Sequence, residues 1–235
     1  MAMGAVTVTM AERDGDAGAG DRGMGVLEAI RTRRSVGAVL AERPPRAAIE
    51  AILEAATWAP NHRLTEPWRF VVLAGDARRA FGAATAEARF GPGAALGDDA
   101  RAAFAAMAAK PLRAPVVIAV AVEPTVGPKV VEIEEVAAGA AAVQNMLLAA
   151  HALGLAAIWR TGAPTYDPAV KAFFGLTPNA HLLGFVYVGY PAGAAAERPR
   201  QPHAAVTRWL GWDEDDAAGE SAGGTQAGDD AVRSA

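Results

Sequence analysis

Apolar positions along this chain fall into two kinds of pattern. In one, Ile49, Ile52, Leu53 and Ala56 recur at i, i+3, i+4 and i+7, the stripe of a helix lying on a core. In the other, apolar residues run on without a break for a length too short for a helix. RFVVLAG (69–75), APVVIAVAVE (114–123), LAAIWRTG (155–162) and HLLGFVYVGYP (181–191) are of this second kind and predict four buried strands. Helices are predicted around them. The first runs from about Met24 to Arg34, the second from Pro45 until Pro60 stops it, the third over 76–90 and the fourth over 98–110, with a flexible break at GPGAALG between the last two. VVEIEEVAAGAAAVQNMLLAAHALG (130–154) predicts the longest helix. DPAVKAFFG predicts a short one, capped by Asp167 and stopped by Gly175. Helices first, then strands interleaved with long helices, indicate an α+β fold or a mixed α/β layer.

The ends of the chain have no such periodicity. Residues 1–23 are Gly, Ala and charge, and 213–235 are acidic and rich in Gly, Ala and Ser; both are expected to be disordered, leaving one domain over 24–212. The 235 residues carry a net charge of −4, but the acidic tail holds seven carboxylates against Arg233, so the remainder is +2 and does not repel anions. No long Lys/Arg run favours nucleic acid. No signal peptide or membrane span is evident, and a cytoplasmic protein is expected. The chain has no cysteine, which removes disulfides, thiolate nucleophiles and cysteine-held metals, and its 4 histidines have no paired spacing for a metal site. GxSxG, GxGxxG and GxxxxGK[ST] are all missing.

Four clusters stand out. RTRRS places Arg31, Arg33, Arg34 and Ser35 at the end of the first helix, either as an ordinary cationic C-terminus or as a phosphate grip of guanidinium forks and a hydroxyl. WAPNHRLTEPWRF (58–70) puts Trp58 just before Pro60, and His62 and Arg63 between Pro60 and Pro67, too much costly chemistry for a plain connection. Trp159-Arg160-Thr161-Gly162 ends a buried strand with an arginine that needs an anion or solvent. Arg198 and Arg200 alternate with prolines after the last strand, as a ligand pair or as a solvated linker. Arginines and aromatics without a nucleophile or a metal point to a flat, phosphate-bearing cofactor that brings its own chemistry. The many small residues of the longest helix suit either the centre of the monomer or a crossing with a second subunit.

IRTRRSVGAV (30–39), AATWAPNHRLTEPWRF (55–70), GLAAIWRTG (154–162) and LLGFVYVGYP (182–191) together resemble the nitroreductase family of FMN-dependent oxidoreductases, in particular its small single-domain branch, over residues 24–212. The resemblance implies an α+β fold with a mixed sheet flanked by helices, in an intertwined homodimer with two FMN sites at the subunit interface. It implies that Arg33, Arg34 and Ser35 grip the FMN phosphate and ribityl chain, and that Trp58 and His62 contact FMN. Trp159, Arg160 and Thr161 would lie along the isoalloxazine, with Arg200 and Arg198 on the phosphate. Trp68 is assigned to packing. The sequence departs from the family in the loop before Pro67-Trp68, where many members have Asn and Gln; the corresponding places are Leu64 and Glu66. The implied activity is reduction of FMN by NADH or NADPH, with hydride passing through flavin N5 to a nitroaromatic, quinone or similar acceptor and no catalytic side chain required. Dehalogenation or ene reduction on the same scaffold, or a flavin-binding sensor or storage protein without turnover, are the alternatives.

Overall fold

The computed structural model describes residues 24–91 and 97–212. The arm over 1–23 and the tail over 213–235 lie outside the described residues. The chain divides into two compact units, Met1–Ala196 and Glu197–Ala235. In the first unit the elements follow the apolar pattern: α1 (Val26–Thr32), α2 (Arg46–Thr57), β1 (Trp68–Ala74), α3 (Ala77–Phe90), α4 (Asp98–Ala108), β2 (Val116–Val122), α5 (Glu132–Ala152), β3 (Ala156–Arg160), α6 (Pro168–Phe173) and β4 (His181–Gly189). Asp167 caps α6 by accepting from the Ala169 N–H at 2.8 Å, as its sequence position predicts. Of the second unit, residues 197–212 are exposed and contain one short 3₁₀ turn over His203–Val206.

The strands form one sheet in the order β1-β2-β4-β3. The fold is α+β as expected, and among the described residues the strand pairings of the sheet are antiparallel. The long helix α5 carries the chain from β2 to β3, and β4 then inserts between these two strands. They therefore run parallel to each other without touching. The parallel contact that does form is a single bridge from Ser35 to Ala157 of β3.

Each face of the sheet has its own core. On one face Ile49, Ile52 and Ala56 of α2 and Ala142, Val143 and Met146 of α5 pack on Ile118, Val120, Val186 and Ala157, and Trp68 is buried there. On the other, Phe81 of α3 and Val170 of α6 meet Val117, Phe185 and Tyr187. The Phe81 ring lies 4.7 Å from Phe185 and 5.2 Å from Phe174, centroid to centroid. β4 serves both cores through a bulge. Val120 faces Gly184 while Ala121 faces Leu182, so Leu183 is the extra residue. Without it Leu182 and Phe185, three positions apart, would point to opposite faces; with it both reach the α3 side.

α1 is shorter than its sequence suggests. It stops at Thr32, and Arg33 already has extended backbone (φ −56°, ψ 132°). Arg34 turns back and donates through Nη1 to the carbonyls of Arg31 and Arg33, at 2.6 and 2.9 Å. These are groups a helix end leaves unsatisfied, so the arginines that look helical terminate the helix instead. α2 likewise ends at Thr57, three residues before Pro60. The α3–α4 pair closes on Gly82, where a Cβ would run into the Ala108 carbonyl. Gly82→Ala is expected to overpack this contact and cost about 2 kcal/mol, within the range for rigid backbone clashes. Urea denaturation measures it, and a loss under 0.5 kcal/mol would contradict the close packing of α3 on α4.

Candidate functional site

Residues 33–40 leave α1 and run along the β3 edge and on to the residues that follow β4. Val36 N–H donates to the Ala157 carbonyl at 3.1 Å, and Leu40 N–H to the Tyr190 carbonyl at 2.9 Å. This path brings two sequence clusters together: the arginine turn and the Trp159-Arg160-Thr161 strand end. Gly37 marks the junction. A Cβ there would stand 2.8 Å from Nη2 of Arg160, so the missing side chain makes room for the guanidinium. Arg160 is half-buried and lies over the Tyr187 ring, 5.5 Å from its centroid. Its Nε is buried and has no hydrogen-bond partner among the described residues. A guanidinium nitrogen in that position is short of an acceptor.

Trp159, the next side chain back, points to the opposite face. Its indole N–H donates to the Leu183 carbonyl at 3.1 Å, the carbonyl that the bulge takes out of the β2–β4 ladder. Gly184 has φ +143°, and a Cβ on it would collide with Trp159 Nε1 and the Arg160 carbonyl. Bulge, glycine and tryptophan therefore fix the direction of the strand end as a unit. Thr161 is exposed just past the strand, and Gly162 turns the chain with φ +126°.

The turn itself opens on a second hollow of about 330 Å³, lined by Arg33, Arg34, Val36 and His151. Nε and Nη1 of Arg33 are buried. Ser35 is exposed, held through the backbone bridge to Ala157. Thr32 donates its hydroxyl to the Glu28 carbonyl at 2.7 Å, so its oxygen accepts from His151 Nε2 at 2.8 Å. That bond fastens the end of α1 to the last turn of α5.

Trp58 and His62 lie elsewhere. Trp58 caps the end of α2 and is 80% exposed. His62 Nδ1 sits 3.2 Å from Glu134 Oε2, in the first turn of α5. His151 and the arginine turn are at the other end of that helix, about 25 Å away at 1.5 Å per residue. Within one chain His62 does not share a site with the arginine turn. The loop that carries His62 is strained: Arg63, Leu64 and Glu66 all have positive φ, at 59°, 53° and 48°. Each costs about 1 kcal/mol in a residue with a side chain. Fixed partners offset the strain. Asn61 Oδ1 accepts from Glu66 N–H at 3.1 Å, and Arg63 Nε donates to the Lys129 carbonyl at 3.1 Å. Glu66 itself is exposed.

The main anchor is Glu135, a residue that the sequence reading passes over. It is 1% exposed and accepts from the Thr65 hydroxyl at 2.5 Å and from Thr125 N–H at 3.1 Å. Its signal was its phase, three and four residues before the buried Ala138 and Gly139. Lys110 and Arg113 were missed too. They stand in the short 3₁₀ turn after α4 and, with Arg160, line a cavity of about 490 Å³ on the α3 face of the sheet. Burial pushes the Tyr187 phenol at this cavity above its usual value, against the lowering pull of Arg160 and Arg113. Arg198 and Arg200 belong to the second unit, exposed and in extended chain. No group of three or more His, Asp or Glu among the described residues would hold a metal, and no helix there is long and apolar enough to cross a membrane.

Comparison with known proteins follows this geometry. The model of the nitroreductase family matches residues 30–190. YdjA of Escherichia coli (strain K12), named as a candidate NAD(P)H nitroreductase, is 34% identical over 168 residues, covering 72% of this chain and 89% of YdjA. A nitroreductase-like family protein from Bacillus cereus superposes with a TM-score of 0.70 at 26% identity, covering 80% of this chain and 97% of that one. A candidate nitroreductase from Desulfovibrio desulfuricans, solved in complex with FMN, superposes with a TM-score of 0.61 at 29% identity, over 80% and 98% of the two chains.

Removing the Glu135 carboxylate should release the strained loop. Glu135→Ala is expected to cost about 2 kcal/mol, since it removes a buried carboxylate that accepts from the half-buried Thr65 hydroxyl and from the Thr125 N–H. Proteolysis within 61–67 should also speed up. A variant as stable and as protease-resistant as the parent would show that Glu135 does not hold this loop.

Proposed function

Because this chain belongs to the nitroreductase family, we propose that it is an FMN-dependent oxidoreductase that takes electrons from NADH or NADPH and delivers them to a nitroaromatic, quinone or similar acceptor. The observation that carries this reading is the Gly37–Arg160 junction. It joins a buried guanidinium nitrogen without an acceptor to a stretch of backbone with no side chain in the way. A flat cofactor rich in acceptor atoms suits both. The Desulfovibrio desulfuricans relative was solved with FMN, which supports the choice of flavin.

When bound, FMN supplies the hydride chemistry, accepting from the nicotinamide and giving to the acceptor through N5. The chain's own residues bind and orient. Arg33 and Ser35 grip the phosphate and ribityl chain, and Arg34 holds the turn that presents them. Trp159, Arg160 and Thr161 line the ring, where the Arg160 cation favours a ring that gains negative charge on reduction.

Trp58 and His62 complete the site from a second copy of the chain. The distance of His62 from the arginine turn along α5 supports this, because one chain does not bring the two together. So do the exposed apolar residues Val26, Leu27 and Ile30 on α1 and Ile133 on α5, which a partner subunit would cover.

The purified chain should be yellow, or turn yellow with FMN, and bleach when NADPH or NADH is added without oxygen. A protein that takes up no FMN would refute the reading, and one that stays yellow under both nicotinamides would instead be a sensor or store. Arg160→Ala should lower the FMN midpoint potential, because the reduced, more negative ring loses its cation. Spectroelectrochemistry reads this, with His62→Ala as the second arm. Unchanged potentials in both variants would remove the charge-stabilising role.

A further inference from the structure

The cavity on the α3 face is built differently from the arginine turn. Its apolar side is Phe81, Met107, Ile158 and Phe185, and its cations are Lys110 and Arg113 in the turn after α4 and Arg160 at the end of β3. Tyr187 lines it between Arg160 and Arg113, and its raised phenol remains a protonated donor at neutral pH. No aspartate or glutamate is among its lining residues. Three like charges around one hollow repel one another, and an anion placed among them relieves that repulsion. The apolar side adds a second requirement, because a bare inorganic anion would leave the half-buried Met107 and Ile158 uncovered. At about 490 Å³ the hollow suits a ligand of one or two rings.

We propose that this cavity binds a small aromatic carboxylate, with its ring against Met107 and Ile158 and its carboxylate held by Lys110, Arg113 and Arg160. Guanidinium forks match a carboxylate in geometry, and Arg113 and Arg160 each bring one to the cavity. The cavity shares Trp159, Arg160 and Thr161 with the strand end assigned above to flavin. On that reading, the site selects acceptors that carry a negative charge beside the reducible group. Lys110 and Arg113, which are exposed and outside the residues assigned to FMN, set this selectivity.

Calorimetric titration of the full chain tests this with 4-nitrobenzoate, its neutral isostere 4-nitrobenzamide and inorganic phosphate as separate ligands. The carboxylate should bind at least ten-fold more tightly than either of the others. Lys110→Gln/Arg113→Gln should weaken it at least ten-fold while the visible absorbance of bound FMN stays the same. Equal binding of carboxylate and amide would overturn the proposal. Phosphate binding as tightly as the carboxylate would overturn it in favour of a simple anion site. Loss of FMN from the double variant would overturn it by making the cavity part of the cofactor site. A chain that takes up no FMN would refute the reductase reading alone, since the comparison of ligands on the parent protein does not depend on flavin.

Discussion

The site depends on one backbone contact, the laying of residues 33–40 along β3 through the Val36 N–H and the Ala157 carbonyl. It carries the arginine turn from the end of α1 to the end of β3, and it sets Gly37 against Arg160. That placement needs α1 to stop early. Arg34 brings this about by capping the carbonyls of Arg31 and Arg33. It also needs β3 to end in a fixed direction, which the Leu183 bulge, Gly184 and the Trp159 indole provide together.

α5 is the second organising element. Its buried face unites α2 and the sheet in one core, and its two ends hold two different functional regions. Glu135 ties the strained loop that carries His62 to its first turn. His151 ties the end of α1 to its last. A rigid helix of 21 residues keeps these regions apart in one subunit. The same separation gives a second subunit something to complete.

The strands were legible because each is an apolar run with nothing else to be: β2 is buried at all seven positions. The Asp167 cap was legible because capping chemistry is local. The end of α1 was not, because three arginines read equally well as a helical turn and as a terminator. The choice lay in the Arg34 side chain folding back. Gly37 and Gly184 looked like any glycine, since what they avoid comes from residues more than a hundred positions on or more than twenty back. The strand order was not legible from the order of elements, because β4 arrives last and inserts between β2 and β3. Lys110 and Arg113 carried no sequence signal beyond two cations around Pro111; only the fold aims them at Tyr187. The loop over 58–70 was legible as unusual, but not as strained or as distant from the arginine turn.

The central claim is that each site draws on two chains, with Arg33 and Arg160 from one and His62 from the other. Subunit mixing tests it most directly. Arg33→Ala and His62→Ala chains, each expected to bind FMN more weakly than the parent and so to lose part of it on dilution, are co-expressed and the hybrid dimer is isolated by two different tags. A shared site predicts that the hybrid regains one FMN per dimer, because one of its two sites then has both residues intact. A hybrid with no more FMN than the parent variants would contradict it, and would mean that each chain builds its site by itself.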